Sequence, residues 1–87
     1  MARYELRFKP SAAKDLRDVP PVDVRRILAR IETLRDDPRP AGSEKLSARE
    51  RFRLRQGDYR ILYTVSDAED MVEIVKVGHR REAYRKP

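Results

Sequence analysis

One stretch of this chain decides the fold, Arg51-Phe52-Arg53-Leu54-Arg55, which continues through Gln56-Gly57-Asp58 into Tyr59-Arg60-Ile61-Leu62-Tyr63. Successive side chains of a β-strand point to opposite faces, so this alternation predicts a strand with one cationic and one apolar face. Neighbouring like charges destabilise a sheet. The aligned arginines therefore indicate a polyanionic partner, because arginine is suited to bidentate contact with phosphate.

The turn between these two strands determines which arginines share a face. A loop with an even number of residues, such as Gln56-Gly57, places Arg53 opposite Arg60, with Phe52 opposite Ile61 and Leu54 opposite Tyr59. A slip by one residue would exchange the two faces and put Arg60 against the core. We therefore expect one cationic face, formed by Arg51, Arg53, Arg55 and Arg60.

The sequence before this hairpin predicts one strand and two helices. Residues 3–8 alternate as a half-buried strand that Pro10 ends. A short helix follows, with Ser11 at its N-cap, and stops before Val19-Pro20-Pro21. The second helix carries apolar residues at three- and four-residue spacing, which predicts an amphipathic helix packed on a sheet. These residues are Val24, Ile27, Leu28, Ile31 and Leu34.

Beyond about residue 50 the pattern is typical of a β-meander with strands at 51–55, 59–66 and 71–77. Turns fall at 56–58 and 67–70, and residues 38–50 are expected to be irregular. The predicted order is β-α-α-β-β-β. This gives an α+β fold in which two N-terminal helices cover one face of a small, mostly antiparallel sheet.

Composition limits the classes of protein. The 87 residues form a single domain over 1–87, and 21 basic against 15 acidic residues give a net charge of +6. The lack of cysteine excludes disulfides and thiolate sites and fits the reducing cytoplasm. We expect no signal peptide and no membrane span, because no apolar run approaches ~20 residues. One histidine and no dense carboxylate group predict neither a metal site nor a cofactor.

The end of the chain holds a second group of candidates in Val77-Gly78-His79-Arg80-Arg81-Glu82-Ala83-Tyr84. In a helical turn, Arg80 and Tyr84 would lie at i and i+4 on one side. Arg80 could then bind a phosphate while Tyr84 stacks on a base, or Tyr84 could simply pack on the edge of the sheet. His79 is a candidate for proton transfer, because histidine is the side chain that most readily gains and loses a proton near neutral pH, although a lone histidine is most often not catalytic.

The chain resembles the RelE family of toxins in three features. These are the order of its elements, the arginine hairpin with its continuation Gly-Asp-Tyr-Arg-Ile-Leu-Tyr, and the terminal Val-Gly-His-Arg-Arg-Glu-Ala-Tyr. That family belongs to the RelE/ParE superfamily of type II toxin–antitoxin systems. The resemblance covers nearly the whole chain and is strongest from Leu46 to Tyr84. It implies a cytoplasmic, ribosome-dependent endoribonuclease that cuts mRNA in the ribosomal A site, together with an acidic, RelB-like antitoxin.

The resemblance also implies site residues. Catalytic positions of the family fall on Arg51, Arg53, Arg60, Arg80 and Tyr84, and contact with RNA extends to Arg55 and Arg81. Lysines of the best-known pattern are arginines here, and an arginine is a poor general base because it stays protonated. His79 and Glu44 are therefore the candidate proton acceptors. The reaction would be a metal-free attack of a ribose 2′-hydroxyl on the adjacent phosphorus.

Two other functions remain open. A ParE-type toxin would have the same fold and would inhibit DNA gyrase without nuclease activity. A basic RNA-binding module without catalysis would bind RNA in a strongly salt-dependent way and release no cut products.

Overall fold

The computed structural model describes residues 3–46 and 50–79, which form two helices, a short 3-10 turn and five strands. The helical segments are α1 (Pro10–Arg17), α2 (Pro21–Glu32) and the 3-10 turn Thr33–Arg35. The strands are β1 (Glu5–Phe8), β2 (Glu44–Lys45), β3 (Arg51–Gln56), β4 (Tyr59–Ser66) and β5 (Met71–His79). The predicted α+β class is confirmed. The strand β2 was not predicted, because two residues are too few to leave an alternating pattern.

The five strands form one mixed sheet in the order β1-β5-β4-β3-β2. Strand β1 pairs with β5 in parallel. The pairs β2–β3, β3–β4 and β4–β5 are antiparallel. The sheet is therefore mostly antiparallel, as the sequence predicts. No helix within the described residues is long and apolar enough to cross a membrane.

Both helices begin at a proline, whose missing N–H costs nothing in the first turn. Helix α1 starts two residues earlier than predicted, with Lys9 rather than Ser11 at its N-cap. The Ser11 hydroxyl instead donates a hydrogen bond to the carbonyl of Val75, at 2.7 Å. From α2 and the 3-10 turn, Ile27, Ile31 and Leu34 are fully buried, whereas the predicted core residue Leu28 is 38% exposed.

The core lies between the helices and one face of the sheet, and Tyr63 is its largest fully buried side chain. The Tyr63 ring stacks on Phe52 with centroids 5.6 Å apart. Its hydroxyl donates a hydrogen bond to the carbonyl of Pro38, at 2.8 Å. Burial raises the pKa of this phenol. Tyr63 therefore connects the centre of the sheet to the segment that follows the 3-10 turn.

Strand β5 contains a bulge that reverses its alternation. Leu62 of β4 pairs with Lys76, but the next residue, Tyr63, pairs with Ile74, so Val75 is left as an extra residue. Helix α1 satisfies backbone groups at this point: besides Ser11, the Asp15 carboxylate accepts a hydrogen bond from the N–H of Val77, at 3.0 Å. The bulge lets Ile74 and Val77 both face the core although their spacing is odd.

A cluster of charges joins the segment before β3 to the turn between β4 and β5. The Arg39 guanidinium contacts the carboxylates of Glu50 and Asp67, the latter at 3.0 Å, and lies 5.5 Å from the centre of the Phe52 ring. The Tyr4 hydroxyl donates a 2.6 Å hydrogen bond to Asp67. Hydrogen bonds from Tyr4 and then Arg39 lower the pKa of Asp67, and the bond from Arg39 lowers that of Glu50.

We expect Arg39→Ala to lower the melting temperature by several degrees at pH 7, because it removes two ion pairs and the contact with Phe52. Since the folded-state pKa values of Glu50 and Asp67 are lowered, their contribution is present above their ordinary values of 4.5 and 3.8. It is lost as the pH falls through the folded-state values. Thermal unfolding of wild type and variant from pH 7 to pH 3 should show the difference shrinking. Arg25→Ala, on exposed α2 surface, is the control, and a pH-independent difference would contradict the prediction.

Candidate nucleic-acid interface

The arginines of β3 project from the face of the sheet that is opposite the core. Phe52 and Leu54 are buried beneath the helices, so Arg51, Arg53 and Arg55 alternate with them toward the other side. In the β3–β4 ladder Arg55 lies directly opposite Arg60, which places Arg60 on the same side. We call these four residues, Arg51, Arg53, Arg55 and Arg60, the arginine row.

The register of the hairpin differs from the prediction by two residues. The turn is Gly57-Asp58 rather than Gln56-Gly57, and Gly57 takes a φ of +60°, a conformation that glycine adopts easily. Arg53 therefore lies opposite Leu62, not Arg60. Because the loop still has an even number of residues, the shift exchanges partners without exchanging faces.

The members of the arginine row differ in exposure. Arg51 and Arg55 are exposed, and the Arg53 side chain is 25% exposed. Arg60 is 7% exposed and is the one charged residue in the buried set of the described chain. A buried guanidinium is costly unless its surroundings compensate the charge. Arg60 is thus an integral part of this face, while its neighbours on β3 are open to an approaching anion.

Glu44, on strand β2, lies beside the arginine row. It pairs with Arg53 in the β2–β3 ladder and accepts a hydrogen bond from the Arg53 guanidinium. The Arg53 hydrogen bond and charge, followed by the charges of Arg55 and Arg60, lower the pKa of Glu44. Three guanidinium groups therefore act on one carboxylate. The lowered pKa also makes Glu44 a weaker proton acceptor than a free glutamate.

His79 lies on the other face of the sheet. It is directly opposite Tyr59, the neighbour of Arg60 that points toward the helices, and the two rings meet edge to face at 5.4 Å. The β5 bulge causes this placement, since uninterrupted alternation from buried Ile74 would have put His79 beside the arginine row. The sequence offered no clear signal for the bulge.

A pocket of about 240 Å³ adjoins His79 between α2 and the β3–β4 turn. Asp23 and Arg26 of α2 and Asp58 of the turn contribute its charged lining, and Ile27 contributes apolar surface. The sequence analysis named Ile27 as a core residue and Asp58 as part of the turn, but it did not identify Asp23 or Arg26. Across residues 3–46 and 50–79, no group of three or more histidine, aspartate or glutamate side chains is placed to hold a metal ion.

Arg80, Arg81 and Tyr84 lie outside the described residues, so their predicted roles stay predictions. The described part of the candidate site therefore consists of the arginine row and Glu44. Gly78, the residue of β5 opposite Arg60, continues this face without a side chain.

Comparison with known proteins gives a consistent family. Residues 6–84 match the family described as the ParE toxin of the type II toxin–antitoxin system parDE. Toxin RelG of Mycobacterium tuberculosis is 33% identical over 89 residues, which cover 95% of this chain and 98% of RelG.

Solved structures agree with the sequence matches. A chain of the toxin–antitoxin complex RelBE2 from Mycobacterium tuberculosis is 29% identical, with a TM-score of 0.79 over 91% of this chain and 100% of that one. A chain of the archaeal RelE–RelB complex from Pyrococcus horikoshii is 25% identical, also with a TM-score of 0.79, over 90% and 96% of the two chains.

We expect Arg55→Gln to weaken binding of a single-stranded polynucleotide and to flatten the slope of log K against log salt concentration by about 0.7, the value for one lost contact with a single strand. Fluorescence anisotropy across a salt series measures both quantities. Arg25→Gln removes the same charge from α2, on the helical side. An equal change in slope for both variants would show that total charge, rather than the arginine row, governs binding.

Proposed function

The chain belongs to the ParE toxin family, within the RelE/ParE superfamily of type II toxin–antitoxin toxins, and from this premise we propose that it is a ribosome-dependent mRNA endoribonuclease. The observation that carries the proposal is the arginine row, which combines two exposed arginines, one partly exposed arginine and one buried arginine on a single face. Relatives named RelE and RelG support a RelE-type activity.

The proposed reaction is an internal transfer within the RNA. The 2′-hydroxyl oxygen attacks the adjacent phosphorus, and the bond between phosphorus and the 5′-oxygen of the next nucleotide breaks. The products are a 2′,3′-cyclic phosphate and a 5′-hydroxyl. The proton leaves the 2′-oxygen for an acceptor, and the departing 5′-oxygen gains one. This chemistry uses no redox step and no metal ion.

The arginine row would act by electrostatics and positioning. Negative charge builds on the phosphorane oxygens during the attack, and preorganised guanidinium groups stabilise it. Next-but-one residues of a strand are spaced roughly 7 Å apart, so the side chains of β3 can follow successive phosphates. By the family resemblance, Arg80 and Tyr84 would be further site residues, and Tyr84 could stack on a base.

A different feature weighs against each of the two predicted proton acceptors. Glu44 is on the correct face, but its contact with Arg53 lowers its pKa. His79 lies on the helical face. The roles of Glu44 and His79 as proton acceptors stay predictions, and we assign the rate enhancement mainly to the arginines.

The proposed partners are an antitoxin, the ribosome and mRNA, in the cytoplasm. The antitoxin is the best supported, because the RelBE2 and archaeal RelE–RelB structures are toxin–antitoxin complexes. An acidic, RelB-like segment that orders over the arginine row would neutralise its charge and block RNA.

Inhibition of DNA gyrase is the alternative function, and the matched family description, which names ParE, favours it. Purified protein is incubated with gyrase and relaxed plasmid, and separately with ribosomes programmed with an mRNA. Cleaved mRNA with normal supercoiling supports the nuclease. Inhibited supercoiling with intact mRNA supports the ParE-type function and contradicts our proposal.

We expect an mRNA with one 2′-deoxy nucleotide at the cleavage position to remain uncut, because the attacking oxygen is missing. Primer extension on programmed ribosomes locates the cut in the all-ribose message. A deoxy substitution several nucleotides away is the matched control and should not prevent cleavage. Cleavage at the deoxy position would show that the 2′-hydroxyl is not the nucleophile.

We expect Arg53→Gln to reduce single-turnover cleavage by about 10²–10³-fold, the usual loss for one electrostatic donor to a transition state. Arg25→Gln supplies the control for loss of one positive charge. The rates are measured at saturating enzyme, so that weaker binding does not account for the loss. Equal rates for the two variants would remove Arg53 from the proposed mechanism.

A further inference from the structure

Glu44 brings a negative charge to a face that is otherwise suited to bind anions. It belongs to the edge strand β2 and is 60% exposed, so an incoming ligand can reach its contact with Arg53. Exposed ion pairs hold their partners only weakly. The contact can therefore open at little cost.

A carboxylate and a phosphate are alternative partners for the same guanidinium. Both present two oxygens that match the planar fork of arginine. In the free protein, the Glu44 carboxylate accepts a hydrogen bond from the Arg53 guanidinium. The positive charges of Arg55 and Arg60 also act on this carboxylate. A phosphate that binds through the N–H group of Arg53 Nη2 that contacts Glu44 must replace the Glu44 oxygen. Contact with RNA at this position is then an exchange of anions.

We propose that Glu44 is an internal competitor for the RNA phosphate at Arg53. This inference rests on the proposed function for its ligand, a single-stranded RNA. In the free protein Glu44 accepts a hydrogen bond from the Arg53 guanidinium and partly neutralises its charge. When RNA binds, Glu44 gives up Arg53 and remains beside the site, where its negative charge limits the affinity for the phosphate.

The first experiment measures competition for phosphate without RNA. Glu44→Gln and Glu69→Gln each remove one negative charge, the second from the exposed turn between β4 and β5. We expect Glu44→Gln to elute from phosphocellulose at a higher salt concentration than Glu69→Gln. Circular dichroism confirms that both variants are folded. Equal elution would overturn the inference, whether or not the protein acts on RNA.

The second experiment uses a short labelled RNA with deoxy substitutions that prevent cleavage. We expect Glu44→Gln to bind it about two- to fivefold more tightly than wild type, which corresponds to the usual strength of an exposed ion pair. The salt slope should steepen by up to about 0.7. In an Arg53→Gln background the same substitution should raise the affinity clearly less, because only the general effect of the Glu44 charge then remains.

The outcomes separate the two proposals. An equal gain in affinity from Glu44→Gln in the wild-type and Arg53→Gln backgrounds would reflect general charge and overturn the inference. Unchanged affinity of Glu44→Gln for this RNA, combined with lost cleavage of an all-ribose mRNA on programmed ribosomes, would assign Glu44 to proton transfer and also overturn the inference. Stronger retention on phosphocellulose with no RNA binding by any variant would support the competition and contradict the proposed nuclease.

Discussion

The alternation of the central hairpin is the constraint on which the rest of the molecule depends. Phe52 and Leu54 of β3 and Ile61 and Tyr63 of β4 must all face the helices to form a core. A strand has only two faces, so burial of this apolar set forces the arginines to the other side. The same packing that stabilises the fold therefore concentrates positive charge. The hydrophobic effect supplies the free energy that opposes the mutual repulsion of the arginines.

The sequence predicted those parts of the fold that have a clear period. The strands β3, β4 and β5 and the helix α2 each carry enough apolar residues to reveal a spacing of two or of three to four. The strand β2 has two residues and no period, and the start of α1 depended on whether Pro10 or Ser11 defined the first turn. Both differences depend on local backbone geometry, which the spacing of apolar residues does not reveal.

The candidate site was predictable to the same extent. The sequence predicted that Arg51, Arg53, Arg55 and Arg60 share a face because the hairpin loop has an even number of residues. An error of two residues in the predicted register does not change this result. The position of His79 was not predictable, because one extra residue in β5 reverses its side. Contact between Glu44 and Arg53 was also hidden, since it depends on the pairing of the short strand β2.

The bulge in β5 divides that strand into two halves of opposite phase. Before Val75, even-numbered residues face the core, and after it odd-numbered residues do, as the burial of Val72, Ile74 and Val77 shows. Tolerance to substitution should follow this change, with sensitive positions switching from even to odd within one strand. Deletion of Val75 would remove the extra residue and keep Ile74 and Val77 on the core face, whereas a deletion elsewhere in β5 would turn part of the strand over. The length of β5 is thus as tightly constrained as its composition.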